Sequence, residues 1–253
     1  MLFQKKVKTL FFKKYKKQIF RLKSRYKNSF KEEKNRLICI LNHDIKTPLL
    51  AQIQAVKMIL DKKFGDVNND QREILTEILN SNNFMLGVVS NALFLMRYEN
   101  EKPKLKLEKI NINDEIFTCI EMIKGYADIK TQNIILRTKN NVKITADKIL
   151  IQKIILNLLT TAIDNGFEHS DIEVILKENR KEITFQAKSK SVYMTKDKLL
   201  SLFQEKKSLS DFNQLGMSLN LNIAEKLIKA HKWDIIIKSK KDNSSIFGFV
   251  AKK

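Results

Sequence analysis

"ILTEILNSNNFMLGVVSNALFLM", residues 74–96, decides the fold of the first half of this chain. Ile74, Ile78, Met85, Val88, Ala92 and Leu95 recur at heptad steps. Leu75, Leu79, Leu86, Val89, Leu93 and Met96 form a second seam beside them. Steps of three and four predict a helix. Upstream, Leu41, Ile45, Leu49, Ile53, Val56 and Leu60 step the same way. Between the two patterns lies "DKKFGDVNND" (61–70), charged, with Gly65 and two Asn, which reads as a turn. Residues 33–102 therefore read as a helical hairpin. Two adjacent seams make a stripe too wide for a lone two-helix hairpin to bury. Two copies forming a four-helix bundle would cover both, so the pattern predicts a homodimer.

The texture changes after Pro103. "NIILRT" (133–138), "DIEVIL" (171–176), "EITFQAK" (182–188), "DIIIK" (234–238) and "SIFGFVA" (245–251) are β-like. Helical periods fill 113–132, 147–165, 195–206 and about 215–231. "DIEVILKENRKEITFQAK" looks like a hairpin. Residues 104–253 thus read as an α/β two-layer sandwich, and the whole chain as α+β.

Hydrophobic residues make up 43% and charged residues 30% of the chain, enough to build a core and too polar for a membrane class. No apolar run approaches the roughly 18 residues that span a bilayer. The start lacks the apolar stretch and small-residue cleavage site of a signal peptide. Cys39 and Cys119 stand far apart in apolar contexts, without metal-ligand spacing or an argument for an oxidising compartment. These features predict a cytoplasmic protein. The net charge of +20 is uneven: residues 1–36 hold 14 Lys/Arg against 2 Glu. Leu2, Phe3, Phe11, Phe12, Tyr15, Ile19 and Phe20 are interleaved with these lysines. Residues 1–32 read as a basic amphipathic arm. A solvated basic helix is the plainest account, and an anionic membrane surface the next, which would place the protein at the inner membrane face. Nucleic acid comes last.

"LNHDIKTPLL" (41–50) holds one of only three histidines and one of only two prolines. At 100° per residue, His43 projects roughly 140° from the apolar stripe and Thr47 lies one turn on, on the same side. His43 should face solvent. Asp44 can hold one imidazole nitrogen and leave the other nucleophilic, which suits attack on a phosphoryl group. Pro48 should kink or loosen the helix below. A surface histidine without a role is the bland alternative. His231, at the end of an amphipathic helix, reads as structural, His169 as a loop residue, and Trp233 as packed under the closing hairpin.

His43, Asp44, Ile45, Lys46, Thr47 and Pro48 together resemble the phosphoacceptor box of two-component sensor histidine kinases, matched at every position. The resemblance extends over roughly residues 33–253. It implies phosphorylation of His43, a general-base role for Asp44, and a role for Thr47 in positioning water for dephosphorylation of a response regulator. Receiver domains of response regulators are the implied partners. The following domain of that family binds Mg-ATP. Here "ITADKILIQKIILNLLTTAIDNG" (144–166) looks like the helix of its Asn box, and Asn157 matches the metal-linked Asn. The second Asn is Thr161 and the expected basic residue is Asp164. Ser189, Ser191 and Tyr193 occupy the first glycine box, Asp-x-Gly-x-Gly in the family. The second box, Gly-x-Gly-x-Gly, reads Gly216, Ser218, Asn220. Independently of the family, the closest two glycines, Gly65 and Gly87, stand 22 residues apart, so no Gly-rich phosphate loop exists.

The expected function is phosphotransfer: His43 takes a phosphoryl group from one receiver aspartate and passes it to another. The ATP domain is then defective, with Asn157 and Gly216 a remnant of the site. A working ATP-dependent kinase, with Mg-ATP at Asn157, is the alternative. The third reading is a non-catalytic dimeric scaffold bound to membrane or nucleic acid by its basic arm.

Overall fold

The computed structural model describes residues 33, 43–100, 103–139, 141–201 and 212–252. The basic arm, residues 1–32, lies outside them, as do 202–206 of the helix expected over 195–206. The chain divides into two compact units, Met1–Lys102 and Pro103–Lys253.

In the first unit, α1 runs to residue 60 from the start of the described stretch at residue 43, and α2 is Asn69–Asn100. Gly65 takes φ +113° in the turn between them, where a side chain would be strained. Asn68 and Gln71 close a reciprocal capping box: Gln71 N–H donates to Asn68 Oδ1 (2.8 Å) and Asn68 N–H to Gln71 Oε1 (3.0 Å). That box sets where α2 begins. Arg72 Nη2 reaches back to the Leu60 carbonyl (3.4 Å) and ties the two helices at the turn. Leu49, Ile53 and Val56 of α1 and Leu93 of α2 are buried. Ile45, expected in the same stripe, is exposed. The two α2 seams part company. Leu75, Leu79, Leu86, Val89 and Met96 are half-buried, whereas Ile74, Ile78 and Met85 of the other seam are exposed. Farther along that seam Val88, Ala92 and Leu95 are half-buried as well, so the exposed part is its first half.

The second unit holds β1 (Leu107–Asn111), α3 (Ile112–Ile129), β2 (Asn133–Thr138), β3 (Lys143–Asp147), α4 (Lys148–Asn165), β4 (Asp171–Glu178) and β5 (Glu182–Lys190). After these come α5 (Lys196–Ser201), α6 (Phe212–Ala230), β6 (Asp234–Lys240) and β7 (Ser244–Lys252). The main sheet has the order β2-β4-β5-β7-β6, with β2 and β4 parallel and the other pairs antiparallel. The sequence-based strands all lie in it, and its α/β sandwich is the expected one. The strands β1 and β3, not expected from the sequence, pair with each other as a separate antiparallel ribbon.

Every second residue of β5 turns inward: Ile183, Phe185, Ala187 and Ser189 are buried. Helices α3, α4 and α6 lie over the sheet in that order, α4 packed between the other two. The core is aromatic at one end, where Phe185, Phe249, Trp233 and His231 stack in a row at 5.4, 5.1 and 4.6 Å between centroids. Trp233 therefore sits against β7 of the closing hairpin. Asp147 knots three segments. Its Oδ1 caps α4 by accepting from Ile149 and Leu150 N–H (3.1 Å each). Its Oδ2 accepts from Lys106 N–H (2.9 Å), and its own N–H donates to His231 Nε2 (3.2 Å).

Candidate functional site

His43 stands on the outer side of α1 with 81% of its side chain exposed. Its Nδ1 lies 3.0 Å from Asp44 Oδ1. A carboxylate there holds the imidazole proton on Nδ1 and leaves the Nε2 lone pair facing solvent. Thr47, one turn on, is exposed as well, and Leu49 turns inward as an anchor. The helix runs on through Pro48, where a kink or loosening was expected. The ring removes one ladder donor, the one Asp44 C=O would have used, without ending the helix. His43 and Thr47 are thus both exposed one turn apart, as their spacing predicts, with Asp44 beside His43.

The residues assigned to the nucleotide site meet a different environment. Asn157 on α4 is buried, and its Nδ2 donates to the Lys153 carbonyl of its own helix (2.6 Å). Thr161, one turn on, is enclosed, and its hydroxyl donates to the Asn157 carbonyl (2.7 Å). Asp164 Oδ1 accepts from the Tyr126 hydroxyl (2.5 Å). Lys130 Nζ donates to the Ile163 and Asp164 carbonyls (3.2 and 3.0 Å), a cation at the negative end of α4. Burial pushes the Asp164 carboxyl above the usual range, against the opposing pull of Tyr126 and Lys130. Burial also drives the Tyr126 phenol up, reinforced by the Asp164 charge. These two groups form a structural tie between α3 and α4.

Ser189 is buried with no partner for its hydroxyl. Ser191 Oγ donates to Ser245 Oγ (2.7 Å), Ser245 Oγ to Ser239 Oγ (3.3 Å), and Met194 N–H to Ser239 Oγ (2.9 Å). The segment after β5 is stitched by hydroxyls to the β6–β7 hairpin. Tyr193 is exposed. Gly216 is the fifth residue of α6, buried, so its N–H belongs to the helical ladder rather than to a loop. Among the described residues, no three His, Cys, Asp or Glu stand together to hold a metal ion. Tyr126, Lys130, Ser239 and Ser245 escaped the sequence reading, because their partners lie up to 54 residues away and no local spacing marks them. His231 and His169 match theirs. His231 is buried with both ring nitrogens engaged, Nδ1 on the Leu227 carbonyl (2.8 Å). His169 sits in the loop after α4 at φ 56°.

A helical hairpin with an outward histidine–carboxylate pair, joined to this five-stranded sandwich, defines a phosphoacceptor domain followed by an ATPase-type domain. Comparison with known proteins agrees. Residues 33–101 match the His Kinase A (phospho-acceptor) domain. Residues 146–252 match the histidine kinase-, DNA gyrase B- and HSP90-like ATPase. The chain belongs to the two-component sensor histidine kinase family. Its similar relatives include the cell-division control histidine kinase PdhS of Brucella anthropi, 26% identical over 82% of this chain and 21% of the relative. The same kinase of Brucella canis is 25% identical over 86% of this chain and 22% of the relative. The chain thus spans about a fifth of the length of the curated relatives it matches. Among solved structures, full-length ShkA with AMPPNP superposes with a TM-score of 0.62 at 18% identity, covering 85% of this chain and 45% of ShkA. The histidine kinase ThkA in complex with the response regulator TrrA gives 0.57 at 17%, covering 90% and 66%. Among the described residues, no helix is long and apolar enough to cross a membrane.

Proposed function

We propose that this protein is a histidine phosphotransferase, which receives a phosphoryl group on His43 from one response-regulator aspartate and delivers it to another. The observation that carries the reading is the outward Nε2 of His43, with Nδ1 held by Asp44 at 3.0 Å. The Nε2 lone pair attacks phosphorus of the acyl phosphate. The P–O bond to the aspartate breaks, and the carboxylate leaves with the bonding pair. The proton on Nδ1 stays against Asp44, which offsets the positive charge that develops on the ring. The reverse step loads the next receiver. Thr47 stands on the same face, where it would position water against a bound phosphoreceiver.

ATP is a poor source of the phosphoryl group in this reading. The residues present do not fit Mg-ATP. Asn157 and Thr161 hydrogen-bond their own helix, Asp164 stands where a cation would be needed, and Gly216 is helical. Ser189 and Ser191 replace a carboxylate and a glycine in the enclosed end of the core. ShkA was solved with AMPPNP, so a divergent but working site is the reading to test against. The exposed seam Ile74–Ile78–Met85 supports a dimer, two hairpins closing a four-helix bundle.

The test offers the protein two donors. Labelled phosphoreceiver is expected to place acid-labile label on the wild type and none on His43→Gln. Magnesium with γ-labelled ATP is expected to place none on either. Label from ATP that requires His43 would make the protein a kinase. Label from neither donor would leave the scaffold.

A further inference from the structure

The main sheet is covered by α3, α4 and α6 on the face that holds Phe185, Phe247 and Phe249. Strand alternation turns the residues between them to the outer face. There, β7 is flanked by lysines on both sides. Lys188 of β5 and Lys238 of β6 are the register partners of Ile246, and Lys190 and Lys240 are those of Ser244. With strands about 4.8 Å apart and a rise of about 3.4 Å per residue, the four lysines start from a rectangle of roughly 7 by 10 Å.

The acids of this face are engaged elsewhere. Glu173 takes Arg137 (3.4 Å) and Lys188 (3.1 Å), and Asp234 takes Lys252 (3.4 Å). Asp171 and Glu182 accept from the amides of Asn133 and Asn179 (3.4 Å each). Lys190, Lys238 and Lys240 are exposed, and none of them forms an ion pair among the described residues. Asp242, in the turn between β6 and β7, accepts from the Ser244 hydroxyl at Oδ1 (2.6 Å). That hydroxyl, and after it the positive field of Lys240 and Lys188, holds the Asp242 carboxyl below the usual range. Three like charges thus stand together without a counterion, and an anion set against them relieves their repulsion.

Shape and lining select the anion. Ile175, Ile236 and Val250, half-buried, and Ile246, buried, lie on the same face, and no strand puts an aromatic ring there. Single-stranded nucleic acid is held by stacking on aromatic rings. A duplex is read by an element that enters its groove, which a sheet face does not do. Aliphatic side chains beside lysines on a broad face match a plane of phosphates over hydrocarbon.

We infer that the lysine end of this sheet face docks on an anionic phospholipid surface, with Lys190, Lys238 and Lys240 against the headgroup phosphates. This contact is separate from the basic arm and independent of the phosphotransfer reading.

Flotation of the full chain with vesicles tests it. The probes are phosphatidylcholine mixed with phosphatidylglycerol and, beside it, phosphatidylcholine alone. The wild type is expected to bind the mixed vesicles and not the neutral ones; failure to bind the mixed vesicles overturns the inference. The variant Lys190→Gln/Lys238→Gln/Lys240→Gln is compared with Lys109→Gln/Lys124→Gln/Lys143→Gln, which removes equal charge from exposed positions off this face. Both keep the basic arm. A lysine at an anionic surface contributes about fivefold in partitioning, so the face variant is expected to bind about 100-fold more weakly. The comparison variant is expected to stay close to the wild type. Equal loss from both would mean attraction by net charge alone and would sink the inference. Arginine at the same three positions keeps the charge and is expected to keep the binding, which guards against a folding defect; loss there too contradicts the assignment. Duplex DNA of mixed sequence is the last probe. If the face variant loses DNA affinity but holds the vesicles, the face belongs to nucleic acid and the inference falls.

Discussion

Asp147 carries more of the second unit than any local reading of its sequence suggests. It caps α4, takes the Lys106 N–H at the entry to β1, and is joined through its own N–H to His231. Asp147→Ala leaves the first N–H groups of α4 without a side-chain acceptor. It is expected to destabilise the unit by about 1–2 kcal/mol, read as a lowered urea midpoint with unchanged m-value. Asp164 is the opposite case. Its folded-state carboxyl is raised above its usual value, chiefly by burial. The native state therefore binds more protons than the unfolded chain between the two values, and stability falls as pH rises through the folded one. Asp164→Asn keeps an acceptor for Tyr126 and removes the titration. It is expected to be more stable than the wild type near neutral pH, with the advantage vanishing below the ordinary carboxylate range. Paired urea titrations at several pH values check this; a constant difference at all pH values would contradict it. His43 and Asp44 were legible from six consecutive residues, because a helix turns spacing into direction. The tie between Tyr126 and Asp164 was not, because 38 residues separate them and only the packing of α3 on α4 brings them together.

At the scale of elements, the five strands of the main sheet were readable because each carries β-branched or aromatic residues at alternate positions over six to nine residues. The ribbon β1–β3 was not. Each strand has five residues, β1 buries only Ile110, and both run straight into helices whose period masks them. Gly248 shows why the register of β7 is so firmly set. A Cβ there would lie 2.1 Å from the Phe185 carbonyl oxygen, a backbone atom of the neighbouring strand. Gly248→Ala must push β5 and β7 apart where Phe185 and Phe249 stack. Overpacking of this kind costs about 1–3 kcal/mol, and loss of that much from the thermal or urea stability of the unit is expected, with the first unit unaffected. In α1, Pro48 interrupts one ladder bond without ending the helix. Pro48→Ala would restore that bond and is expected to stabilise the hairpin by up to about 3 kcal/mol, seen as increased amide protection around residues 44–48.

Across the whole molecule, the question is whether the ATPase-type fold still does what its shape serves in relatives. The fold itself was legible, since the order of helices and hairpins survives the replacement of its glycines. That Asn157 and Thr161 each hydrogen-bond a carbonyl of their own helix was not, because only the folded structure shows it. Thermal melting separates the two readings by magnitude. A site with a Kd near 1 µM, held at 1 mM Mg-ATP, stabilises the folded unit by about 4 kcal/mol. For a unit of this size that raises the midpoint by roughly 8 °C or more. A site with a Kd near 1 mM gives about 0.4 kcal/mol, a rise of roughly 1–2 °C. The small shift is expected, equal for wild type and His43→Gln, because nucleotide binding in the second unit is independent of the phosphoacceptor. A rise of 8 °C would mean that the enclosed serines open to admit the base, and would return the protein to the kinases. With the small shift, ATP would be a poor donor, and label from a phosphoreceiver on His43 would then separate the phosphotransferase from the scaffold.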